Sequence, residues 1–138
     1  MNTTYDSIWA CFYDNCGVDK STLPQTDEGK YILINSGCMY YNTLIDKSET
    51  KIQCDDLTET INMLLDDNRL LILTYCMRYR FLENELIRYE QVWQPLSNDI
   101  GQKFYKDQLS GREKTLSNTK TEIIRLLNNI DNMSYLDL

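Results

Sequence analysis

Histidine is absent from the 138 residues of this chain. Without an imidazole to carry the proton, the Ser-His-Asp and Cys-His nucleophilic mechanisms are excluded in their usual form. Glycine is scarce, at five scattered positions, and neither G-x-x-x-x-G-K-[ST] nor G-x-G-x-x-G occurs. No loop of backbone amides is therefore available to cradle a phosphate. No C-x-x-C pair occurs, and the cysteines, Cys11, Cys16, Cys38, Cys54 and Cys76, are odd in number and irregular in spacing. That argues against a disulfide framework and leaves a zinc site only if four thiolates gather from distant positions. No apolar run approaches the roughly 20 residues of a membrane span. The N-terminus has no basic segment leading into an apolar core, so the expectation is an intracellular protein with no membrane partner.

What is present is acidic and unevenly spread. The formal charge is −7. Met1 to Asp67 holds twelve acids and four bases, and Asn68 to the end holds nine acids and ten bases. An acidic half disfavours direct nucleic-acid binding, which needs a cationic surface, and permits a basic protein partner. The paired carboxylates Asp55-Asp56 and Asp66-Asp67 are not a catalytic pair, because neighbours on a helix point apart instead of facing each other across a pocket. They read as helix-end residues. No catalytic, cofactor-binding or metal-ligating residue is expected, and the chain is read as a non-enzyme.

The dominant stretch runs from Asp56 to Trp93, without glycine or proline. Leu57, Ile61, Leu64, Leu71, Tyr75, Tyr79, Leu82, Leu86, Tyr89 and Trp93, with the polar Asn68 filling the place between Leu64 and Leu71, recur at steps of three and four and define one stripe of a long helix. Two successive four-steps, Leu71–Tyr75–Tyr79, form a stutter that shifts the seam. Leu70 to Leu73 is apolar all round and calls for more than one neighbour. Arg80–Glu83 and Glu85–Arg88 are i,i+3 pairs suited to a solvated face, worth about 0.2–0.5 kcal/mol each. Asp55, Asp56 and Thr58 offer caps, with Glu59 at capping-box spacing from Asp56. Pro95 stops the helix. Asp66-Asp67-Asn68 is poor helix interior and good cap sequence, so a break near Asp67 is the alternative, with Asn68 as the cap.

The rest is arranged around that helix. Thr4 to Cys16 places Tyr5, Ile8, Trp9, Phe12 and Tyr13 on one helical face, followed by Gly17 as the terminating residue. That face either covers the domain's own core or anchors a partner. Val18 to Gly29 is a linker rich in turn residues. Lys30 to Ser48 reads as a helix through Tyr31, Ile34, Cys38, Tyr41 and Ile45, or as a hairpin turning at Ser36-Gly37. Lys103 to Asn129 carries a weak heptad through Leu109, Leu116, Ile123, Leu126 and Ile130, interrupted by Ser110-Gly111 and locally basic. Tyr135, Leu136 and Leu138 end the chain as a free tail or a short docking motif.

These readings predict an all-α single domain over 1–138, a small bundle with helices near 4–16, 28–48, 56–94 and 102–130. The long third helix packs antiparallel on the fourth because the connection at Pro95 is short. The alternative is α+β, a hairpin at 30–45 on a helical stalk. In function, the pattern predicts a non-catalytic protein–protein interaction module without cofactor. It would be a small subunit or adaptor of a multiprotein complex, engaging a partner or a second copy through helix faces. The aromatic and aliphatic candidates for that contact are Trp9, Phe12, Tyr79, Leu82, Leu86, Tyr89 and Trp93. A different class also fits: an acidic inhibitor that blocks a basic site on a nuclease, toxin or host defence protein. It requires Asp27, Glu28, Asp46, Glu49, Asp55 and Asp56 to converge on one face.

Overall fold

Three helices begin on a side-chain oxygen that accepts the amide three residues on. Thr4 caps α1 (Tyr5–Asn15) through Ser7, Thr26 caps α2 (Asp27–Leu44) through Gly29, and Asp66 caps α3 (Asp67–Trp93) through Arg69. Each cap satisfies an N–H that the helix itself cannot, worth about 1 kcal/mol. Gly17 closes α1 at φ 65°, as its position suggested. The break at Pro95 holds a single turn, α4 (Ser97–Ile100), before α5 (Gln102–Leu136). A 3-10 turn spans Lys20–Thr22 in the linker, and two short strands, β1 (Cys54–Asp55) and β2 (Thr60–Ile61), pair antiparallel.

The structure is a computed structural model that describes the backbone of residues 1–136 and the side chains of residues 1–130. Over the described residues it is 71% helical, an all-α bundle with one small sheet. The tail expectation at Tyr135, Leu136 and Leu138 concerns side chains outside the described residues.

The core lies at one end. There α1, α2, the first half of α3 and the far part of α5 bury Ile8, Phe12, Leu73, Cys76, Met77 and Ile123 completely. The all-round apolar segment of α3 has the several neighbours its pattern calls for. Segment 30–44 is helix, not hairpin, and the helix stops at Leu44, short of the expected Ser48, with Ile45 extended. Gly37, the residue that favoured the hairpin, sits where α2 crosses α3: a Cβ there would come within 2.3 Å of Met77 Cγ. Its glycine is set by close packing.

The expected helix start at Asp56 is overturned. Residues 54–61 form the strand pair and its turn, in which Asp55 Oδ1 accepts the amides of Leu57 and Thr58. Glu59 has a positive φ of 56° and is not a capping-box partner. Leu57 and Leu64, assigned to the buried stripe, are exposed, while Ile61 is buried from a strand. The cap of α3 is Asp66, with Asn68 exposed behind it. The physical reason is that aspartate side chains bond their own turn more readily than they extend a helix. Residues near the N-terminus complete the arrangement. Ile61 N–H donates to the Thr3 carbonyl, Thr3 N–H to the Met63 carbonyl, and Leu65 N–H to Thr3 Oγ1 at 2.8 Å. Asn42 pins the approaching connector to α2 by exchanging two bonds with the Ile52 backbone.

Beyond this head, where Tyr79 and Arg80 make the last contacts of α3 with α2, α3 and α5 continue as an antiparallel pair, a stalk from about residue 81 to residue 115. Tyr89 stacks on Tyr105 with ring centroids 5.9 Å apart, and the guanidinium of Arg112 lies 4.4 Å from the Tyr89 ring centre. Ser110-Gly111 does not interrupt α5.

Candidate functional site

The stripe expected to meet a partner is largely used within the chain. Phe12 is at the centre of the head and offers no surface. Trp9 is half-buried beside it, with ring centroids 5.2 Å apart. Tyr79 stacks on Tyr40 of α2 at 4.6 Å and nearly parallel. Leu82, Leu86 and Tyr89 are half-buried on the side of α3 that faces α5. Trp93, at the end of the stripe, is exposed.

The surface that sequence reasoning missed is the next stripe. Thr74, Arg78, Phe81, Glu85, Arg88 and Val92 follow one another at steps of four and three. In the head, α1 covers this stripe: Cys11 Sγ lies 3.9 Å from Thr74 Oγ1, and the Arg78 guanidinium packs against Gly17. After Gly17 the cover ends. Glu85, Arg88, Tyr89, Val92, Trp93 and Arg112 then line an open groove on the stalk. On α5 the matching stripe is Phe104, Gln108, Gly111 and Thr115, again at steps of four and three. The right-handed turn of two antiparallel helices puts it on the same side as Val92. Val92 and Phe104 are about half exposed, at 50% and 56%. The opposite side of the stalk carries the charged residues Glu83, Glu90, Lys106 and Glu113. The signal was legible as two short stripes, one with an apolar residue at each end and one with a glycine.

A second arrangement sits on the head, where the strand turn meets the start of α2. Tyr5 Oη donates to Asp56 Oδ1 at 2.5 Å, and Asn35 Nδ2 donates to the same oxygen at 3.1 Å. These bonds hold the Asp56 carboxyl below the usual carboxylate range, while burial and the Asp56 bond push the Tyr5 phenol up. Tyr31 Oη donates to Glu59 Oε1, and that bond first of all pushes its phenol up to about 12. Grooves on either side of Tyr31 are lined by Asp6, Asp27, Lys30 and Glu59, and by Glu28, Ile32, Met39 and Asp56. Lys30 Nζ lies 5.4 Å from the Trp9 ring centre.

The convergence required of the acids holds in part. Asp27, Glu28, Asp55 and Asp56 gather near this turn. Asp46 and Glu49 lie at the other end of α2, where Glu49 reaches Arg69 at 4.0 Å. Among the described residues no group of three or more His, Cys, Asp or Glu side chains is placed to hold a metal ion. No helix among them is long and apolar enough to cross a membrane. All five cysteines are free; Cys76 is a buried core residue whose thiol burial pushes up to about 12.

A family model described as YomZ prophage protein matches residues 1–131. The chain belongs to that family. The match takes in the head and the stalk alike. A family relative, the SPbeta prophage-derived uncharacterized protein YomZ of Bacillus subtilis (strain 168), is 35% identical over 127 residues, covering 92% of this chain and 95% of its own. No solved structure matches the chain.

Proposed function

We propose that this member of the YomZ family is a non-catalytic protein–protein interaction module, a small subunit or adaptor that docks through its stalk. One observation supports this above the others. The α3 stripe that α1 buries in the head runs on past Phe81, itself partly buried against the core, for two further turns that α1 does not cover, and its Val92 is exposed together with Trp93, Leu96 and Phe104. Two helices supply one layer, and a second layer is what makes such a face stable. The ordered bonds of Tyr5, Asn35 and Asp56 hold a turn in place.

The test is an affinity pull-down from the source cell, bacterial on the family's prophage description, with the wild-type chain and with Val92→Glu/Phe104→Glu. Partners kept at high salt by the wild type and lost by the double variant support the reading. Partners kept equally by both would move the contact off the stalk.

A second reading, the acidic inhibitor, is favoured by the gathering of Asp27, Glu28, Asp55, Asp56 and Glu59 around Tyr31. A fixed carboxylate such as Asp56 beside exposed Ile32 and Met39 suits a basic, partly apolar segment. In that case a single basic partner would be lost as salt rises, and Asp55→Lys/Asp56→Lys would abolish its capture.

A further inference from the structure

The proposed stalk contact leaves its occupant open, and the inference drawn here rests on that reading. We infer that the occupant is a second copy of this chain, docked antiparallel so that the two heads lie at opposite ends of a four-helix bundle.

The face is complementary to itself. On α3, Phe81, Glu85, Arg88 and Val92 are placed symmetrically about the point between Leu86 and Ile87. A twofold axis through that point sets Glu85 against the partner copy's Arg88, and the open edge of Phe81, which is otherwise packed on the core, against its Val92. On α5, Phe104 and Gly111 are placed symmetrically about the point between Asp107 and Gln108. A twofold axis there seats each Phe104 ring over the other copy's Gly111. At Gly111 a Cβ would meet nothing within 4 Å, so the surface is open where the ring arrives.

These two points are one place on the stalk. The Tyr89–Tyr105 stack fixes the register of α3 against α5. Moving from Tyr89 to the centre between Leu86 and Ile87 goes back two and a half residues. Moving from Tyr105 along the antiparallel helix by the same distance reaches the centre between Asp107 and Gln108. A single axis therefore satisfies both stripes, which is the condition for a closed twofold interface.

The charges agree. Arg88 Nη1 reaches Glu85 Oε1 of its own helix only at 3.5 Å, leaving both groups able to pair across the axis. The face is short, about 17 Å from Phe81 to Val92 at 1.5 Å per residue. It falls at the small end of specific interfaces, so a dimer in the micromolar range is expected.

Sedimentation equilibrium of the purified chain, from low micromolar to submillimolar concentration, tests this. The mass should rise from monomer to dimer with no larger species. Gly111→Leu should weaken the dimer about tenfold or more while circular dichroism stays unchanged, because leucine favours a helix and only fills the recess. Glu85→Arg should weaken it comparably, and Glu85→Arg combined with Arg88→Glu should restore it. A monomer at every concentration overturns the inference, as does a dimer untouched by Gly111→Leu or a charge swap that does not restore. A monomer whose stalk still captures another protein would sink the second-copy assignment and leave the interaction reading standing.

Discussion

α3 contains two environments in one unbroken helix. From Ile72 to Met77 it is nearly surrounded, with Leu73, Cys76 and Met77 fully buried, whereas from Phe81 to Trp93 it touches mainly α5 and keeps half its surface. Both halves mix aliphatic and aromatic residues, so intrinsic helix preference does not separate them. The number of neighbouring elements does: α1, α2 and α5 around the first half, α5 around the second. The head is where the chain spends its apolar surface on itself, and the stalk is where it keeps some in reserve.

The sharpest way to break this comparison is a pair of truncations. Phe12→Ala should cost about 3–5 kcal/mol, because it empties a sealed site in the head. Leu86→Ala on the stalk should cost about 1 kcal/mol, since the side chain is half exposed and its loss leaves no closed cavity. Urea titrations at low protein concentration give both numbers, and equal costs would mean that the stalk is a core in its own right.

Next in size is Gly37→Ala, expected to destabilise by about 1–3 kcal/mol through a clash at the α2–α3 crossing. Met77 Cγ would lie 2.3 Å and the Met77 Cα 3.1 Å from the new methyl group. Gly111→Ala on the stalk should instead stabilise the monomer by about 0.5–1 kcal/mol, as alanine replaces glycine in an exposed helix. The two substitutions, chemically identical, should therefore shift the thermal midpoint in opposite directions.

The pH limits of the head follow from Tyr5 and Asp56. The Asp56 carboxyl is held low, so its contribution is complete above the ordinary carboxylate range and is lost as pH falls through its lowered value. The Tyr5 phenol is held high, so its contribution is complete below the ordinary tyrosine range near pH 10 and is lost as pH rises further. Stability measured against pH should show a shallower acid limb in Asp56→Asn and a shallower alkaline limb in Tyr5→Phe.

The smallest effect belongs to the surface. Arg125 and Glu122 pair at 2.5 Å on the exposed side of α5, and Arg125→Ala should leave the thermal midpoint essentially unchanged, because solvent screens the pair.

Much of the architecture was legible. Steps of three and four located α1, α2, the body of α3 and the body of α5, and the short connection at Pro95 implied their antiparallel pairing. The break before α3 was visible in Asp66-Asp67-Asn68 but competed with a stripe that happened to continue through Leu57, Ile61 and Leu64. Ile61 fits a helical stripe and a strand equally well, and its pairing with Cys54 together with the bonds to Thr3 selects the strand. Pairings such as those of Thr3 with Ile61, Met63 and Leu65, about sixty residues apart, leave no local trace. The surface was less legible for a related reason: spacing reveals which side chains share a stripe, not which stripe is taken by the chain itself. Tyr79, Leu82, Leu86 and Tyr89 formed the longer and more aromatic series, and for that reason they were the ones α2 and α5 had already covered. Val92 and Phe104 stand out only because α1 ends at Asn15 and leaves the next stripe of the stalk open.

The stitching of Thr3 to Ile61, Met63 and Leu65 has a consequence for how the polypeptide is made. A ribosome delivers Thr3 first, yet its bonding partners emerge about sixty residues later, at roughly 5–20 residues per second. Ile123, which completes the same core, arrives later still. Tyr89 and Tyr105, by contrast, are close in sequence and can meet as soon as the turn at Pro95 is formed. The stalk, with the fewest contacts, is expected to form early, and the head, with the most, to lock last. During synthesis the N-terminal helix must therefore wait with Ile8 and Phe12 unburied, and a chain truncated before Ile123 should be drawn to chaperones through that helix.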